Sequence, residues 1–342
     1  MKKKRRPRLS DVAQRAGVSE ATVSVVLNDR VGESVRVSQE TQDRIWAIAR
    51  ELGYVADPVA RSLARGQIDT LALVVRDITN PFFAEVALAV QQEAERFGYS
   101  VLLYNTAAPG GVDDPHREAN FLTLAQRWPI AGLIICQDVA LENEALRSFR
   151  QRQTPVVMIS PLLHELIDAV FIDDEKAAFD AVSYLIEKGH RRIAHIGGPK
   201  KLLTGLARYK GYLEALRANQ LPVDEGLIVL SDFTVKGAEQ SMAELITRAD
   251  PPTAVFAAND VMAFGALRTA LGAGLSVPDD IAIMGFDNIQ ALMCPGLTTV
   301  DHAQEKMGRT AVQLLMERLS GDAPEEQRVV VVPHRIVVRD TA

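Results

Sequence analysis

The chain has 342 residues, 47% of them hydrophobic, which is longer than most single cores and too apolar for wholesale disorder. No apolar run approaches the roughly 18–20 residues needed to span a membrane, and the basic opening Lys2-Lys3-Lys4-Arg5-Arg6 leads into no apolar signal segment. Residues 1–66 carry 13 Lys/Arg against 8 Asp/Glu and the remaining 276 carry 25 against 36, so a basic head precedes an acidic body. That asymmetry suits a head that meets phosphate, or a tail that aids solubility. Only Cys136 and Cys294 are present, without metal spacing, and are expected as reduced thiols in a cytoplasmic protein.

Ser10 is placed to cap a first helix, Asp11 to Ala16, closed by Gly17. Ser19 is placed to cap a second, Glu20 to Asn28. Two short helices joined by Gly17-Val18-Ser19 form the helix-turn-helix pattern. A third helix follows Ser38 and ends at Gly53, with Ile45, Ile48, Ala49 and Leu52 on one apolar face. Val12, Ala13, Val18, Val23 and Leu27 are the inward residues of the first two. If the second helix enters a major groove, Thr22, Ser24 and Asn28 suit phosphate oxygens, while Glu20, Ala21 and Val25 reach base edges. Ser19 and Tyr54 are counted on the same DNA-facing side; an ordinary surface helix is the alternative.

Asp57-Pro58 can open a short helix that Gly66 ends, too short to stand alone in water. Leu63 on it serves either as a wedge in a minor-groove step, with Ala60 beside it, or as packing on the core.

From residue 68 strands and helices alternate. Strands are expected at Ile68 to Val75, Ser100 to Tyr104, Gly132 to Cys136, Val156 to Ile159 and Val170 to Ile172, with helices at Pro81 to Phe97 and Asp114 to Gln126. A second series runs helix Lys176 to Lys188, strand Arg192 to Gly197, helix Arg208 to Asn219, strand Ile228 to Leu230, helix Val235 to Thr247, strand Ala254 to Ala257, helix Asp260 to Ala270 and strand Ile281 to Phe286. Apolar strands separated by helices imply parallel sheets covered on both faces, here in two α/β subdomains. The expected organisation is a helical head, 1–56; a hinge, 57–67; and a core, 68–342. The core divides into one subdomain of about 68–172 plus 303–324 and another of about 173–302 plus 325–342.

Ligands on such sheets bind at the carboxyl ends of the strands, where two subdomains can share a cleft. Asp77, Asn80, Phe83, Ser160, Asp173, Asp174, Asp232, Phe233, Asn259 and Asp287 all follow predicted strands, and Arg208 opens a predicted helix. Carboxylates, Arg and Asn bind vicinal hydroxyls or heterocycle edges, and Phe offers a face to a sugar or a base; each is also an ordinary cap or core residue. No Walker loop, dinucleotide fingerprint, catalytic constellation or metal-like histidine spacing is found, so no enzyme activity, cofactor or metal is expected.

These residues resemble the lactose/galactose repressor (LacI/GalR) family along the chain. The head carries the resemblance in Asp11-Val12-Ala13, Ala16-Gly17-Val18-Ser19 and Ala21-Thr22-Val23-Ser24, and the hinge in Val59-Ala60-Arg61-Ser62-Leu63-Ala64. The core carries it in Asp77-Ile78-Thr79-Asn80-Pro81-Phe82-Phe83, Gly189-His190-Arg191-Arg192-Ile193, Arg208-Tyr209-Lys210-Gly211-Tyr212, Ala258-Asn259-Asp260, Gly285-Phe286-Asp287 and Leu297-Thr298-Thr299-Val300.

The resemblance implies a periplasmic-binding-protein-like core and a homodimer on a pseudo-palindromic double-stranded DNA operator in the cytoplasmic nucleoid, with no membrane partner. It implies hinge helices that wedge Leu63 into DNA, and effector contacts at Phe83, Arg208, Phe233, Asn259 and Asp287, with Ser160 and Asp173 beside them. The expected effector is a sugar; a purine or nucleoside corepressor is the alternative, and a sugar-binding transport protein a distant one, since no secretion signal is seen. Val25 stands where many members carry a base-reading Arg, Asp57 replaces a common Asn, and the loop Arg30 to Arg36 is long for the family. No heptad tail follows Asp340, so a tail-built tetramer is not expected.

Overall fold

The computed structural model describes residues 7–28, 36–54, 68–107, 117, 129–136, 149, 151–161, 167–290, 294 and 296–342. The expected hinge, with Ala60 and Leu63, lies outside them, as does the expected helix Asp114 to Gln126 apart from Arg117. The chain divides into two compact units, Met1–Asp69 and Thr70–Ala342.

The first unit holds α1 (Leu9–Ala16), α2 (Glu20–Leu27) and α3 (Gln39–Leu52). Helix α1 begins earlier than expected. The Asp11 carboxylate accepts the Arg8 backbone N–H at 2.7 Å, so Arg8 rather than Ser10 is the cap. Gly17 and Gly53 end α1 and α3 at φ 69° and 66°, a left-handed conformation that other residues adopt only under strain. The Ser19 hydroxyl accepts the Thr22 N–H at 3.1 Å and opens α2. Helices of 8 residues do not persist alone; packing of Val12, Ala16, Val23, Val26, Leu27 and Ile45 into one small core holds them.

The second unit is built on two parallel sheets. The strands of the first are β1 (Thr70–Val75), β2 (Ser100–Asn105), β3 (Gly132–Cys136), β4 (Val156–Met158), β5 (Asp168–Phe171) and β11 (Val329–Val331), in the order β11-β5-β4-β3-β1-β2. Helices α4 (Pro81–Arg96) and α9 (Gln304–Ser320) cover one of its faces. The second sheet has the order β7-β6-β8-β9, from β6 (Ile193–Gly197), β7 (Ile228–Leu230), β8 (Ala254–Ala257) and β9 (Ala282–Met284). Its helices are α5 (Asp174–Glu187), α6 (Leu203–Ala218), α7 (Val235–Ile246) and α8 (Asp260–Gly272). A short antiparallel ribbon pairs β10 (Thr299–Asp301) with β12 (Arg335–Val337).

Five elements of this unit differ from the sequence reading. Helix α9 and the strands β10 to β12 were not anticipated as elements. Strand β11 lies parallel to β5, Val329 opposite Ala169, so this stretch extends the first sheet instead of joining the second subdomain with the rest of 325–342. Pairing with a buried strand, not local pattern, decides its place. Helix α6 starts at Leu203, so Arg208 sits inside its second turn instead of opening it. Gly211 then lets α6 close on α5: a Cβ there would lie 2.2 Å from the Glu175 carbonyl oxygen. That approach brings Arg208 on α6 to Asp174 on α5.

Candidate functional site

In the head, Ser19, Glu20 and Ala21 at the start of α2 are exposed, and Thr22, Ser24 and Val25 are half-buried on the same helix. This is the face expected to meet DNA. Asn28 differs: it is 7% exposed and its amide donates to the Ser24 hydroxyl at 3.2 Å, so it closes α2 against the core rather than facing phosphate. Tyr54 is half-buried against the three-helix core, its N–H bonded to the Ala49 carbonyl at 2.8 Å.

In the core, one cleft gathers residues from both sheets. The first sheet side supplies Arg76, Asn80, Phe82, Phe83, Cys136 and Ser160, and the second supplies Asp174, Thr204, Arg208, Phe233, Asn259 and Asp287. His302 and Met307, from the segment linking β10 to α9 and from α9 itself, lie between them. Of the seven residues expected to touch effector, six line this cleft.

The seventh does not. Asp173 is exposed and caps α5, accepting the Lys176 N–H at 2.9 Å. Its neighbour Asp174, one step further round the helix, is buried and faces Arg208. Asp77 and Asp232 behave like Asp173, accepting the N–H groups of Thr79 and Thr234 at 3.0 and 3.1 Å. Carboxylates after strands thus split into caps and cleft groups, and sequence position alone does not sort them.

Arg208 is the hub. It is 4% exposed; its Nε donates to Asp174 at 2.7 Å, its Nη1 to the Ala258 carbonyl at 2.5 Å, and its guanidinium lies 3.7 Å above the Phe286 ring. Asp287 Oδ1 stands 3.6 Å from Arg208 Nη1, beyond good hydrogen-bond length, and 2.9 Å from His302 Nδ1. Burial pushes the Asp287 carboxyl up to about 7 against the pull of Arg208. Burial, aided by Asp287, lifts Asp260 to about 7, although Thr299 donates to it at 2.5 Å and the Ile289 N–H at 2.8 Å. Burial holds His302 down to about 3, so its imidazole is neutral.

Asn259 caps α8 by accepting the Met262 N–H at 2.8 Å. Phe233 adopts φ 65°, and Gly198 makes room for its ring, since a Cβ there would come within 2.1 Å of the ring tip. The turn at Gly197-Gly198 therefore serves the cleft. The arrangement offers aromatic faces and a buried carboxylate-guanidinium-imidazole group, which is suited to holding a neutral polar ligand. From sequence Asp174 is named only among the polar groups that follow strands, not among the effector contacts, and His302 is not named as a cleft residue. The Asp173-Asp174 pair was a visible signal, but no local signal marks His302.

Among the described residues no helix is long and apolar enough to cross a membrane, and no group of three or more His, Cys, Asp or Glu could hold a metal ion.

Comparison with known proteins places this geometry. Residues 8–57 match the model of bacterial regulatory proteins of the lacI family, and residues 182–342 match a periplasmic binding protein-like domain. The chain is 38% identical to the HTH-type transcriptional repressor CytR of Escherichia coli K12, covering 92% of this chain and 90% of that protein. It is 32% identical to the HTH-type transcriptional regulator DegA of Bacillus subtilis, covering 97% of each. Among solved structures, the Lac repressor dimer bound to operator and the anti-inducer ONPF superposes with a TM-score of 0.81 at 26% identity, over 98% of this chain and 99% of that one. The transcriptional regulator CelR-cellobiose complex superposes with a TM-score of 0.71 at 30% identity, over 98% and 100%.

Proposed function

The chain belongs to the LacI family of bacterial regulatory proteins, a family of DNA-binding transcriptional regulators, and from that premise we propose a sugar-responsive repressor. In this reading a homodimer sets two heads on a pseudo-palindromic operator in the cytoplasm. A sugar in the core cleft shifts DNA affinity, because it binds two core conformations unequally. The observation that carries the ligand class is the cleft group itself. The Asp287 carboxyl group meets one hydrogen-bonding neighbour within 3 Å, so it retains acceptor positions for a ligand hydroxyl. Phe83 and Phe233 flank the same space, offering apolar faces to a sugar's C–H side. The relative solved with cellobiose supports the class.

A purine or nucleoside is the second reading. The same aromatic rings suit a planar base, and PurR of Klebsiella pneumoniae is 30% identical over 98% of this chain.

Thermal unfolding of the full chain against sugars, sugar phosphates, purines and nucleosides tests both. A true ligand stabilises by about 2.7 kcal/mol at a hundredfold excess over its dissociation constant. A sugar hit that Arg208→Ala abolishes supports the proposal. A purine or nucleoside hit replaces the sugar, and a hit unchanged in Arg208→Ala overturns the site.

A further inference from the structure

His302 is the cleft residue whose placement the proposed function leaves unexplained. It follows β10, on a stretch that runs beside the Asp287 loop: the Asp287 N–H bonds to the Val300 carbonyl at 2.8 Å, and Gln304 donates to the Asp287 carbonyl at 2.6 Å. Ala303 and Asp287 flank it at φ 55° and 117°, both in the left-handed half of backbone space, where non-glycine residues persist only when their surroundings hold them. The His302 side chain is buried, and its ring sits 4.7 Å from Phe82 of α4 and 5.4 Å from Phe286 after β9. It therefore touches an aromatic group from each sheet's half of the core.

We propose that His302 is a positioning residue of the cleft: through Nδ1 it fixes where the Asp287 carboxyl group points, and through its ring it ties that group to Phe82 across the cleft. The inference rests on the reading of this cleft as the effector site.

The chemistry of the contact is restrictive. A neutral imidazole has one N–H and one lone pair. His302 Nδ1 lies 2.9 Å from Asp287 Oδ1 and 3.3 Å from Arg208 Nη2. With the proton on Nδ1, it donates to an Asp287 carboxylate. With a lone pair on Nδ1, that one lone pair accepts either from a protonated Asp287 or from Arg208 Nη2, and the shorter distance favours Asp287. Whenever Nδ1 and Oδ1 are bonded to each other, in either proton arrangement, one proton lies on the line between them, and that line sets the orientation of Asp287. Arg208 at 3.6 Å is too distant to do so. The charged and titratable groups around His302 are Asp174 of α5, Arg208 of α6, Asp287, Asp301 of its own strand, and His334. A ligand hydroxyl donating to Asp287 favours the carboxylate state and hence the Nδ1 proton.

A double-mutant cycle on the full chain, read as urea midpoints on the acid and alkaline sides of neutrality, tests this without any ligand. His302→Phe keeps the ring and loses the nitrogens. It is expected to lower the midpoint while Asp287 is present, to do so by an amount that differs between the two pH values, and to have little effect in an Asp287→Ala background, which has no hydrogen-bonding group left for Nδ1. His302→Asn, whose amide reaches the place of Nδ1, should recover most of that loss; His302→Gln, whose amide reaches the place of Nε2, should not. Equal losses in both backgrounds, or a loss that ignores pH, would reduce His302 to packing and overturn the proposal. If His302→Phe does not fold, the Asn and Gln variants decide: equal midpoints for the two also overturn it. Silence of the sugar panel would sink the effector reading yet leave the cycle's result standing, so the two failures are distinguishable.

Discussion

Two buried carboxylates of the core are built from the same materials and behave oppositely. Asp168, at the start of β5, takes five hydrogen bonds. Arg318 Nη2 and the Arg328 N–H reach Oδ1 at 2.8 Å, while Arg318 Nε, Arg328 Nε and Arg328 Nη2 reach Oδ2 at 2.9, 3.2 and 2.6 Å. Burial pushes its carboxyl up, yet the bonds from Arg318 and Arg328 outweigh burial and hold it below the usual range. Asp287 has one close partner, a neutral imidazole, and a guanidinium already committed to Asp174 and Ala258; burial wins, and the group rises to about 7. A carboxylate whose acceptor positions are filled is a clasp. One whose positions are open, in a cleft, is available to a ligand.

The clasp should matter most to stability. Asp168 ties the end of α9 and the approach to β11 onto β5, and its removal leaves the partly buried Arg318 with carbonyl acceptors alone and Arg328 with Glu317 as its one carboxylate. Breaking such a buried pair costs about 3–5 kcal/mol. Asp168→Ala should lower stability by that amount in urea unfolding, while Asp287→Ala should cost much less and remove ligand response. Comparable losses for the two would erase the distinction between clasp and site.

The opposite shifts also predict opposite pH limbs. Asp287 and Asp260 are raised, so their stabilising contribution is complete below their ordinary range and is lost as pH rises through about 7. Asp168 is lowered, so its contribution is present above the ordinary carboxylate range and is lost on acidification. His302, lowered to about 3, contributes above its ordinary value and adds to the acid loss. Melting midpoints should therefore fall on both sides of a mildly acidic optimum. Asp287→Asn should shallow the alkaline limb and Asp168→Asn the acid limb. An alkaline limb unchanged in Asp287→Asn would mean that its carboxyl is not the titrating group.

Legibility in the sequence follows how local each cause is. The head was readable because Gly17, Ser19, Ser38 and Gly53 act within one turn of themselves. Even there the Ser10 cap failed, because Asp11 reaches back to Arg8. Six cleft residues were readable because parallel sheets collect ligand groups at strand ends. What stayed hidden depends on distance along the chain: β11 pairs with a strand about 160 residues earlier, and His302 meets Arg208 across 94 residues. No composition or spacing near these positions encodes such partners.

The adjacent acids at the head of α5 bring the contrast down to a single step of helix. Asp173 and Asp174 have the same chemistry and near-identical sequence context, yet one faces solvent and the other Arg208. Asp173→Ala removes only a cap, so a loss of about 1 kcal/mol is expected, and Asp173→Asn, an equally good cap, should cost almost nothing. Neither should change the ligand-induced shift in melting. Asp174→Ala should abolish that shift, because Arg208 loses the partner that aims its guanidinium. If Asp173→Ala weakens ligand binding as much as Asp174→Ala does, then the whole α5 terminus, rather than one side chain, shapes the cleft. In that case the rule separating filled from open carboxylates would have to be replaced by one about helix position.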